Sequence, residues 1–234
     1  MGTRVRPASI HDVPAAARLI LAALSEESPW KAFFSPKAQS NSELVEKSEE
    51  LLRSCLEPGP DKNWLVLVLE LERSDIDRSR PSAPLIVSVA VWDLSAVGGW
   101  SHCHQSQAQE ELHDDILHQA YLDGRGVRLG QHGPCIHLHV LATRPAYQRR
   151  GYGKALMSWG VDLAREKQAF IGVQSSSRAY ILFSGLGFAD LGPVLLPTET
   201  GGDELVIKAM RLDIPRHAMG VISLWRSLMR FLLP

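Results

Sequence analysis

Apolar and polar residues alternate along the chain in blocks whose spacing predicts an ordered series of strands and helices. Short apolar runs between turn residues predict strands at 3–9, 63–72, 85–94, 135–143, 169–174 and 204–212. Apolar residues that recur every three or four positions predict helices at 11–24, 42–56, 151–168, 177–186 and 218–234. Helices alternate with strands in the second half, so part of the sheet is expected to be parallel.

The strands predicted at 63–72 and 85–94 are apolar at nearly every position. A strand of this kind is buried on both sides, which predicts a central sheet with helices on both faces. We therefore expect an α/β fold with a mixed sheet in a single domain, residues 1–213, followed by an amphipathic C-terminal helix, 214–234. A long insertion at 95–134 separates two strands, and its middle, 107–122, has an amphipathic helical pattern.

Composition narrows the classes of protein that the chain can represent. Its 234 residues carry a net charge of −1, which gives no bulk attraction for nucleic acid or for an anionic membrane. No apolar stretch reaches the roughly 18 residues of a membrane span, and the first residues lack the apolar run of a signal peptide. Three cysteines at unrelated spacings favour reduced thiols. We expect a cytoplasmic protein that binds neither nucleic acid nor membrane.

The segment Gln-Arg-Arg-Gly-Tyr-Gly, residues 148–153, lies between a predicted strand and a predicted helix. Glycine allows the backbone to approach a ligand closely, and the start of a helix presents unpaired N–H groups with partial positive charge. Arg149, Arg150 and Lys154 add positive charge, so the segment predicts a site for a pyrophosphate. A dinucleotide fingerprint would need glycine at Leu156, and the spacing of a P-loop is absent.

The pattern Gln/Arg-x-x-Gly-x-Gly/Ala at 148–153 resembles the acetyl-CoA loop of the GCN5-related N-acetyltransferase (GNAT) superfamily. The sequence GLGF at 185–188 and the opening RVRPASIHDVPAAARLI are similar to further parts of that family. The resemblance covers 135–191 and more faintly 3–24, 63–93 and 204–212. It implies an enzyme that uses acetyl-CoA and needs no metal.

The same resemblance implies which residues hold acetyl-CoA. The strand before the loop is expected to carry a bulge and to splay from the next strand, where the pantetheine arm pairs with exposed backbone. The backbone N–H of Leu141 is expected to polarise the thioester carbonyl. The residues implied to contact acetyl-CoA are Leu141, Ala142, Thr143, Gln148, Arg149, Arg150, Gly151, Tyr152, Gly153, Lys154 and Ser176.

The reaction also needs a base, because an alkylamine is protonated at neutral pH and cannot attack a thioester in that form. Histidine, with an ordinary pKa near 6.5, suits this role. His137 and His139 are two residues apart on a predicted strand, which places them on one face. The other face would hold four core residues, Ile136, Leu138, Val140 and Ala142.

The order His-Leu-His before the loop resembles the arylalkylamine N-acetyltransferases, in which paired histidines are thought to relay the proton through water. The alternative is a pair of partly buried histidines hydrogen-bonded to their neighbours.

The resemblance fails at the general acid. Many family members carry a tyrosine four residues before the Gly-Phe pair, and here that residue is Phe183. Tyr180 lies one helical turn earlier and is the remaining candidate for the acid, although a half-buried core tyrosine is the other interpretation.

Two further groups of residues are candidates for the site. Asp93 either faces the acceptor pocket or caps a turn. The histidines between 102 and 118 match no usual zinc spacing, so no metal is expected.

Together these features predict acetyl transfer from acetyl-CoA to the primary amine of a small substrate by direct attack. The aromatic loop 25–41 and the insertion 95–134 would shape the acceptor site and favour a hydrophobic or aromatic amine. Two alternatives stay open: a peptide or protein N-acetyltransferase, which needs an open groove, and an acyl-CoA-binding module without catalysis. The protein is expected to be a monomer or a homodimer.

Overall fold

The computed structural model describes residues 2–32, 40–57, 63–71, 85–97, 134–196 and 205–214. The strands are Thr3–Pro7 (β1), Trp64–Leu71 (β2), Leu85–Asp93 (β3), Cys135–Thr143 (β4), Phe170–Ser175 (β5), Ala189–Leu196 (β6) and Leu205–Leu212 (β7). The α-helices of the described ranges are Val13–Leu24 (α1), Ser42–Leu56 (α2), Tyr152–Lys167 (α3) and Ser177–Gly185 (α4).

The strands form one sheet in the order β1-β2-β3-β4-β5-β7-β6. β4 and β5 are parallel, and the other neighbouring strands are antiparallel. Helices α3 and α4 cover one face, where Leu156 and Phe183 join the larger core cluster. Helices α1 and α2 cover the other face through Leu19 and Leu52. The predicted mixed α/β sheet with helices on both faces is therefore confirmed.

Strand β6 was not predicted from the sequence, because Gly192 and Pro193 interrupt its apolar pattern. The structure tolerates both residues because β6 lies at the edge of the sheet formed by the described residues, where its one partner strand is β7. Gly192 has a φ of 107° at an irregularity in the register, and its N–H donates to Asp190 Oδ1 at 2.7 Å. The β6–β7 pair thus extends the sheet beyond β5.

The buried face of α3 differs from the predicted one. The helical spacing of Ala155, Leu156, Trp159 and Leu163 predicts that these residues share the buried face, but Ala155 and Trp159 are exposed. The residues buried in this helix are Leu156, Met157, Gly160 and Ala164. The difference arises because the helix contacts the sheet through a glycine, which an apolar pattern does not count as a core position.

Gly160 lies directly against the indole ring of Trp92, which is fully buried on β3. A Cβ atom at residue 160 would lie 2.2 Å from Trp92 Cη2, a distance at which the fully buried ring or the helix would have to move. Glycine is therefore required for α3 to approach the sheet.

We expect Gly160→Ala to lower the free energy of unfolding by about 3 kcal/mol, the upper part of the range for an overpacked core. Gly185→Ala is the matched control, since a Cβ there meets no atom within 4 Å. Urea unfolding of both variants measures the effect. A Gly160→Ala protein as stable as the control would show that α3 does not pack as described.

A group of charged residues joins β1, β2 and the start of α1. Arg6 donates to Asp12 through two nitrogens, at 2.7 and 2.9 Å, and to Glu70 Oε2 at 2.8 Å. Asp12 directly precedes α1, but its carboxylate caps no N–H of this helix and accepts instead from Arg6 and from the N–H and hydroxyl of Ser9. The hydrogen bond from Arg6 is the largest cause that lowers the pKa of Asp12 to about 2.

Because the folded pKa of Asp12 lies below its ordinary value of 3.8, the ionised carboxylate stabilises the folded state above about pH 4. This stabilisation is lost as the pH falls through 2. The difference corresponds to about 2 kcal/mol. We expect Asp12→Asn to lower the free energy of unfolding at pH 7 by that amount and to flatten its decrease between pH 4 and 2.

Denaturant unfolding at several pH values measures the effect of Asp12→Asn. The control is Asp162→Asn, which removes an exposed ion pair with Arg165 and should change little. Equal loss of stability in the two variants would contradict the assignment.

None of the helices in the described ranges is long and apolar enough to span a membrane.

Some sequence predictions fall outside the described residues. These are the helix at 107–122, most of the insertion 95–134 and the tail 218–234. The phenylalanines of the loop 25–41 also lie outside them, whereas Trp30 is described and packs against Ile207 and Val194.

Candidate active site

Strand β4 carries a bulge at His139. Opposite β3, Val140 pairs with Val91 and Leu138 pairs with Trp92, which leaves His139 as the extra residue between them. A bulge of this kind interrupts the alternation of side chains and turns the strand. The bulge that the resemblance implied is therefore present in β4.

The bulge corrects the predicted faces of β4. Ile136 and Leu138 pack in the core cluster on the α3 side of the sheet. Val140 and Ala142, which were expected on that same face, pack in the cluster on the α1 side. Leu141 takes their place against the α3 side. The prediction of one continuous apolar face was wrong because it assumed strict alternation through residue 139.

Strands β4 and β5 separate after a short parallel pairing. Their last paired residues are Leu138 and Val173, although β4 continues to Thr143 and β5 to Ser175. The N–H of Arg144 donates to the carbonyl of Val87 on β3, and the carbonyl of Ala142 accepts from the side-chain hydroxyl of Ser88 on β3. Because backbone groups alternate sides along a strand, the N–H groups of Leu141 and Thr143 point away from β3, into the gap between β4 and β5.

The side chains of His137 and His139 on β4 lie next to each other. Their ring centroids are 5.0 Å apart, and the ring of Trp64 lies 4.6 Å from that of His139. His137 is buried, whereas the side chain of His139 keeps 18% of its exposure. His139 is therefore the member of the pair that a solvent-borne molecule can reach.

Asp93 adds a negative charge beside these rings. Its Oδ2 lies 3.9 Å from Nε2 of His139, close enough to stabilise a positive charge on the imidazole. Its Oδ1 accepts a 2.8 Å hydrogen bond from the N–H of Ser95 and caps the turn after β3. The turn cap expected as one alternative for Asp93 is therefore present, its other oxygen faces His139, and a place in the acceptor pocket stays a prediction.

The loop from Gln148 to Gly153 has the geometry of an anion site at the start of α3. Arg149 and Gly151 have positive φ values of 63° and 84°. A Cβ on Gly151 would meet no atom within 4 Å, so open space lies beside the loop backbone. Within the described residues, the N–H groups from Arg149 to Lys154 donate to no backbone carbonyl. Free N–H groups at a helix N-terminus fit a diphosphate.

The side chain of Gln148 braces this loop. Its Nε2 donates to the carbonyl of Thr143 at 3.2 Å, and its Oε1 accepts from Arg178 of α4 at 3.1 Å. Arg150 lies over the ring of Tyr147, with 5.2 Å between the guanidinium carbon and the ring centroid. Arg178 was not identified from the sequence, because no motif marks it and only the fold brings α4 beside the loop.

Gly153 lies between the loop 148–153 and the gap that separates β4 from β5. A Cβ at this position would lie 3.7 Å from side-chain atoms of Leu141 and Thr143 and 3.8 Å from Leu182. These are ordinary contact distances, so an alanine would fit and would narrow the space between β4 and α4. Gly153 thus lies between the anion site and the side chains of Leu141 and Thr143.

The remaining predicted residues lie on α4. Ser176 is buried, and its hydroxyl accepts from the N–H of Ala179 as the cap of this helix. Tyr180 faces Asp190 of β6 and is the smallest of several groups that lower the pKa of that carboxyl, and a catalytic role for Tyr180 stays a prediction. Phe183 is buried against Phe188, with 5.2 Å between ring centroids, and supplies no proton.

The sequence profile of the acetyltransferase (GNAT) family matches residues 60–188, which is more than half of the chain. The chain belongs to the GNAT acetyltransferase family. It is 24% identical over 200 residues to an uncharacterized N-acetyltransferase of Schizosaccharomyces pombe, a match that covers 79% of this chain and 81% of the relative. This GNAT chain is thus an N-acetyltransferase, as predicted, and members of its family use acetyl-CoA.

Solved structures share the fold of this GNAT enzyme. A polyamine N-acetyltransferase of Drosophila melanogaster that forms N-acetylagmatine has a TM-score of 0.60 at 17% identity, covering 91% of this chain and 100% of its own. A histone acetyltransferase HPA2-related protein of Corynebacterium glutamicum has a TM-score of 0.54 at 22% identity, covering 93% and 99%. At these identities the likeness concerns the fold alone.

Proposed function

We propose that this enzyme transfers the acetyl group of acetyl-CoA to the primary amine of a small hydrophobic or aromatic molecule. The observation that carries the proposal is the position of His139. It lies at the bulge of β4, partly exposed, beside a buried partner histidine and two residues before the free N–H of Leu141. A base and an oxyanion donor are thereby held on one short stretch of backbone.

The loop residues that fit acetyl-CoA are those with free backbone N–H groups. Arg149, Gly151 and Lys154 supply part of this anion site, and the open space beside Gly151 leaves room for a diphosphate. The absence of a side chain at Gly153, next to Leu141 and Thr143 of β4, leaves room for the pantetheine arm to pass from the loop towards the gap between β4 and β5. A thioester placed there has its carbonyl oxygen within reach of the Leu141 N–H, which stabilises developing negative charge.

In the proposed reaction the neutral amine nitrogen attacks the acetyl carbon, the C–S bond breaks, and CoA leaves as the thiolate. Before the attack His139 removes the extra proton of the ammonium form, directly or through a water molecule, with His137 completing the relay. The proton that the nitrogen gives up as the amide forms neutralises the departing thiolate. Asp93, at 3.9 Å, stabilises the imidazolium that results. Since Phe183 has no proton to give, we propose that the thiolate leaves without a dedicated acid.

Aromatic side chains near the gap support the choice of acceptor. Trp64 contacts the ring of His139, and Trp30 extends from the loop after α1 onto the β6–β7 pair. We further propose that the acetyltransferase domain comprises residues 1–213, that the tail 214–234 is a separate helix, and that the insertion 95–134 completes the acceptor site.

The test is release of free CoA from acetyl-CoA by the purified protein with a panel of acceptors. The panel contains aromatic and aliphatic amines, aminoglycosides and peptides with free N-termini or lysines, and mass spectrometry identifies the product. We expect turnover with small aromatic or hydrophobic amines. Turnover confined to peptides would contradict the proposed acceptor class, and acetyl-CoA binding without turnover on any amine would indicate a binding module.

A further inference from the structure

A carboxylate that the proposed mechanism does not use lies on the opposite side of the gap from β4. Glu27 follows α1, and its carboxylate accepts a short hydrogen bond from the hydroxyl of Ser176. The two residues are 149 positions apart in the sequence, so this contact ties the loop after α1 to the start of α4. Ser176 itself is buried and immediately follows β5.

The register of the sheet locates this pair relative to the proposed oxyanion donor. The last parallel pair is Leu138 with Val173, so Leu141 lies in the part of β4 that no longer pairs with β5, and Ser176 directly follows the end of β5 as the cap of α4. Ser176 and its bound Glu27 therefore stand across the gap from Leu141, where the strands no longer hydrogen-bond to each other.

The backbone fixes Glu27 at this place. Its N–H donates to the carbonyl of Leu24 at 3.1 Å, and its carbonyl accepts from the N–H of Lys31 at 2.8 Å. Trp30 of the same turn packs on Ile207, which holds the turn against the sheet. The side chain of Glu27 is half-buried, so part of it stays accessible to solvent.

The charge of Glu27 has no cationic partner in the described part of the chain, where no Lys, Arg or His lies within ion-pair distance of it. The ion pairs of the described residues involve other carboxylates. The hydroxyl of Ser176 uses one lone pair of the Glu27 carboxylate, which leaves further acceptor sites for a donor. An alkylammonium ion supplies a positive charge and up to three such donors.

From this geometry we infer that Glu27 binds the ammonium group of the acceptor, with Ser176 as a positioning residue that orients the carboxylate. The inference rests on the proposed function. The acceptor would arrive as the cation that predominates at neutral pH and be held by Glu27 across the gap from Leu141. It would then lose its proton to the histidine pair before attack. Glu27 thereby selects amines over alcohols and other neutral acceptors of the same shape.

The decisive variant is Glu27→Gln. The glutamine Oε1 still accepts from Ser176, so the tie between the loop and α4 is retained while the charge is removed. Glu26→Gln is the matched control, because Glu26 is an exposed neighbour on the same turn. Two competitive inhibitors report binding without chemistry: the N,N-dimethyl analogue of the best acceptor, which is a cation, and its alcohol analogue, which is neutral.

We expect Glu27→Gln to raise the KM of the amine and the inhibition constant of the dimethyl analogue by roughly 10- to 100-fold, the scale of one charge-assisted hydrogen bond. The inhibition constant of the alcohol and the affinity for acetyl-CoA should stay within about threefold of wild type, and Glu26→Gln should match wild type throughout. Ser176→Ala should raise the KM of the amine and the inhibition constant of the dimethyl analogue by a smaller factor. Ser176→Thr, which keeps a hydroxyl, should leave both constants near their wild-type values.

An unchanged inhibition constant for the dimethyl analogue in active Glu27→Gln would overturn the inference and leave the proposed function intact. An equal loss for the cation and for the alcohol would also overturn it, because it would show that Glu27 only shapes the pocket. A wild-type protein that transfers acetyl to no amine would contradict the proposed function and this inference together.

Discussion

Gly151→Asp is expected to abolish the thermal stabilisation that acetyl-CoA gives the wild-type protein while leaving the fold intact. Gly151 has a φ of 84°, and a side chain there extends into open space beside the loop backbone. Aspartate tolerates this conformation better than most residues, so the loop should still form. Its carboxylate would then occupy the anion site and repel the diphosphate.

The size of the expected effect follows from binding linkage. A ligand at 100 times its dissociation constant stabilises a protein by about 2.7 kcal/mol, and this increment should disappear in the variant. Gly151→Asn is the matched control, because it has the same shape and the same tolerance of positive φ without the charge. We expect it to retain part of the stabilisation. Full stabilisation of Gly151→Asp by acetyl-CoA in a thermal melt would contradict the assigned loop.

His139→Ala is expected to lower kcat/KM by about 10²-fold, the usual contribution of a positioned base. The affinity for acetyl-CoA should stay nearly constant, since we assign its contacts mainly to backbone groups of the loop and of β4. Steady-state kinetics and a thermal-shift titration measure the two quantities on the same protein. His11→Ala, at an exposed histidine on the short turn before α1, is the control for loss of any imidazole.

The pair should behave as a unit if the two histidines form one relay. The double variant His137→Ala with His139→Ala should then be little slower than the poorer single variant. His137 is buried, so its replacement also leaves a cavity, and the melting temperature of each variant must be measured alongside. If the decrease in kcat/KM of the double variant equalled the product of the two single decreases, the histidines would contribute independently and not as a relay.

The sequence predicted most of the fold because most elements follow their local pattern. The bounds of α2 and of β4 agree with the sequence pattern to the residue. Strand β6 was missed because an edge strand tolerates a glycine and a proline that a central strand does not. The buried face of α3 was misplaced because Gly160 contributes by having no side chain, which hydrophobic periodicity cannot register.

The parts of the candidate site that depend on contiguous residues can be proposed from the sequence, whereas the parts that depend on the fold cannot. The loop at 148–153 and the His-Leu-His order are local patterns, and the structure places them at the start of α3 and on β4. The change of face at His139 depends on the register with β3, which the sequence of β4 alone does not specify. Glu27 and Arg178 have no motif, because only tertiary contacts bring them to the gap and to the loop.

The central claim is that the histidines of β4 remove the proton of the attacking amine. The most direct test is the dependence of kcat/KM on pH for the wild-type enzyme and for the double alanine variant, with the same amine and saturating acetyl-CoA. We predict that wild type rises along a limb with a histidine-like pKa and that this limb is absent from the double variant. Superimposable profiles for the two proteins would contradict the claim and assign proton removal to another group or to solvent.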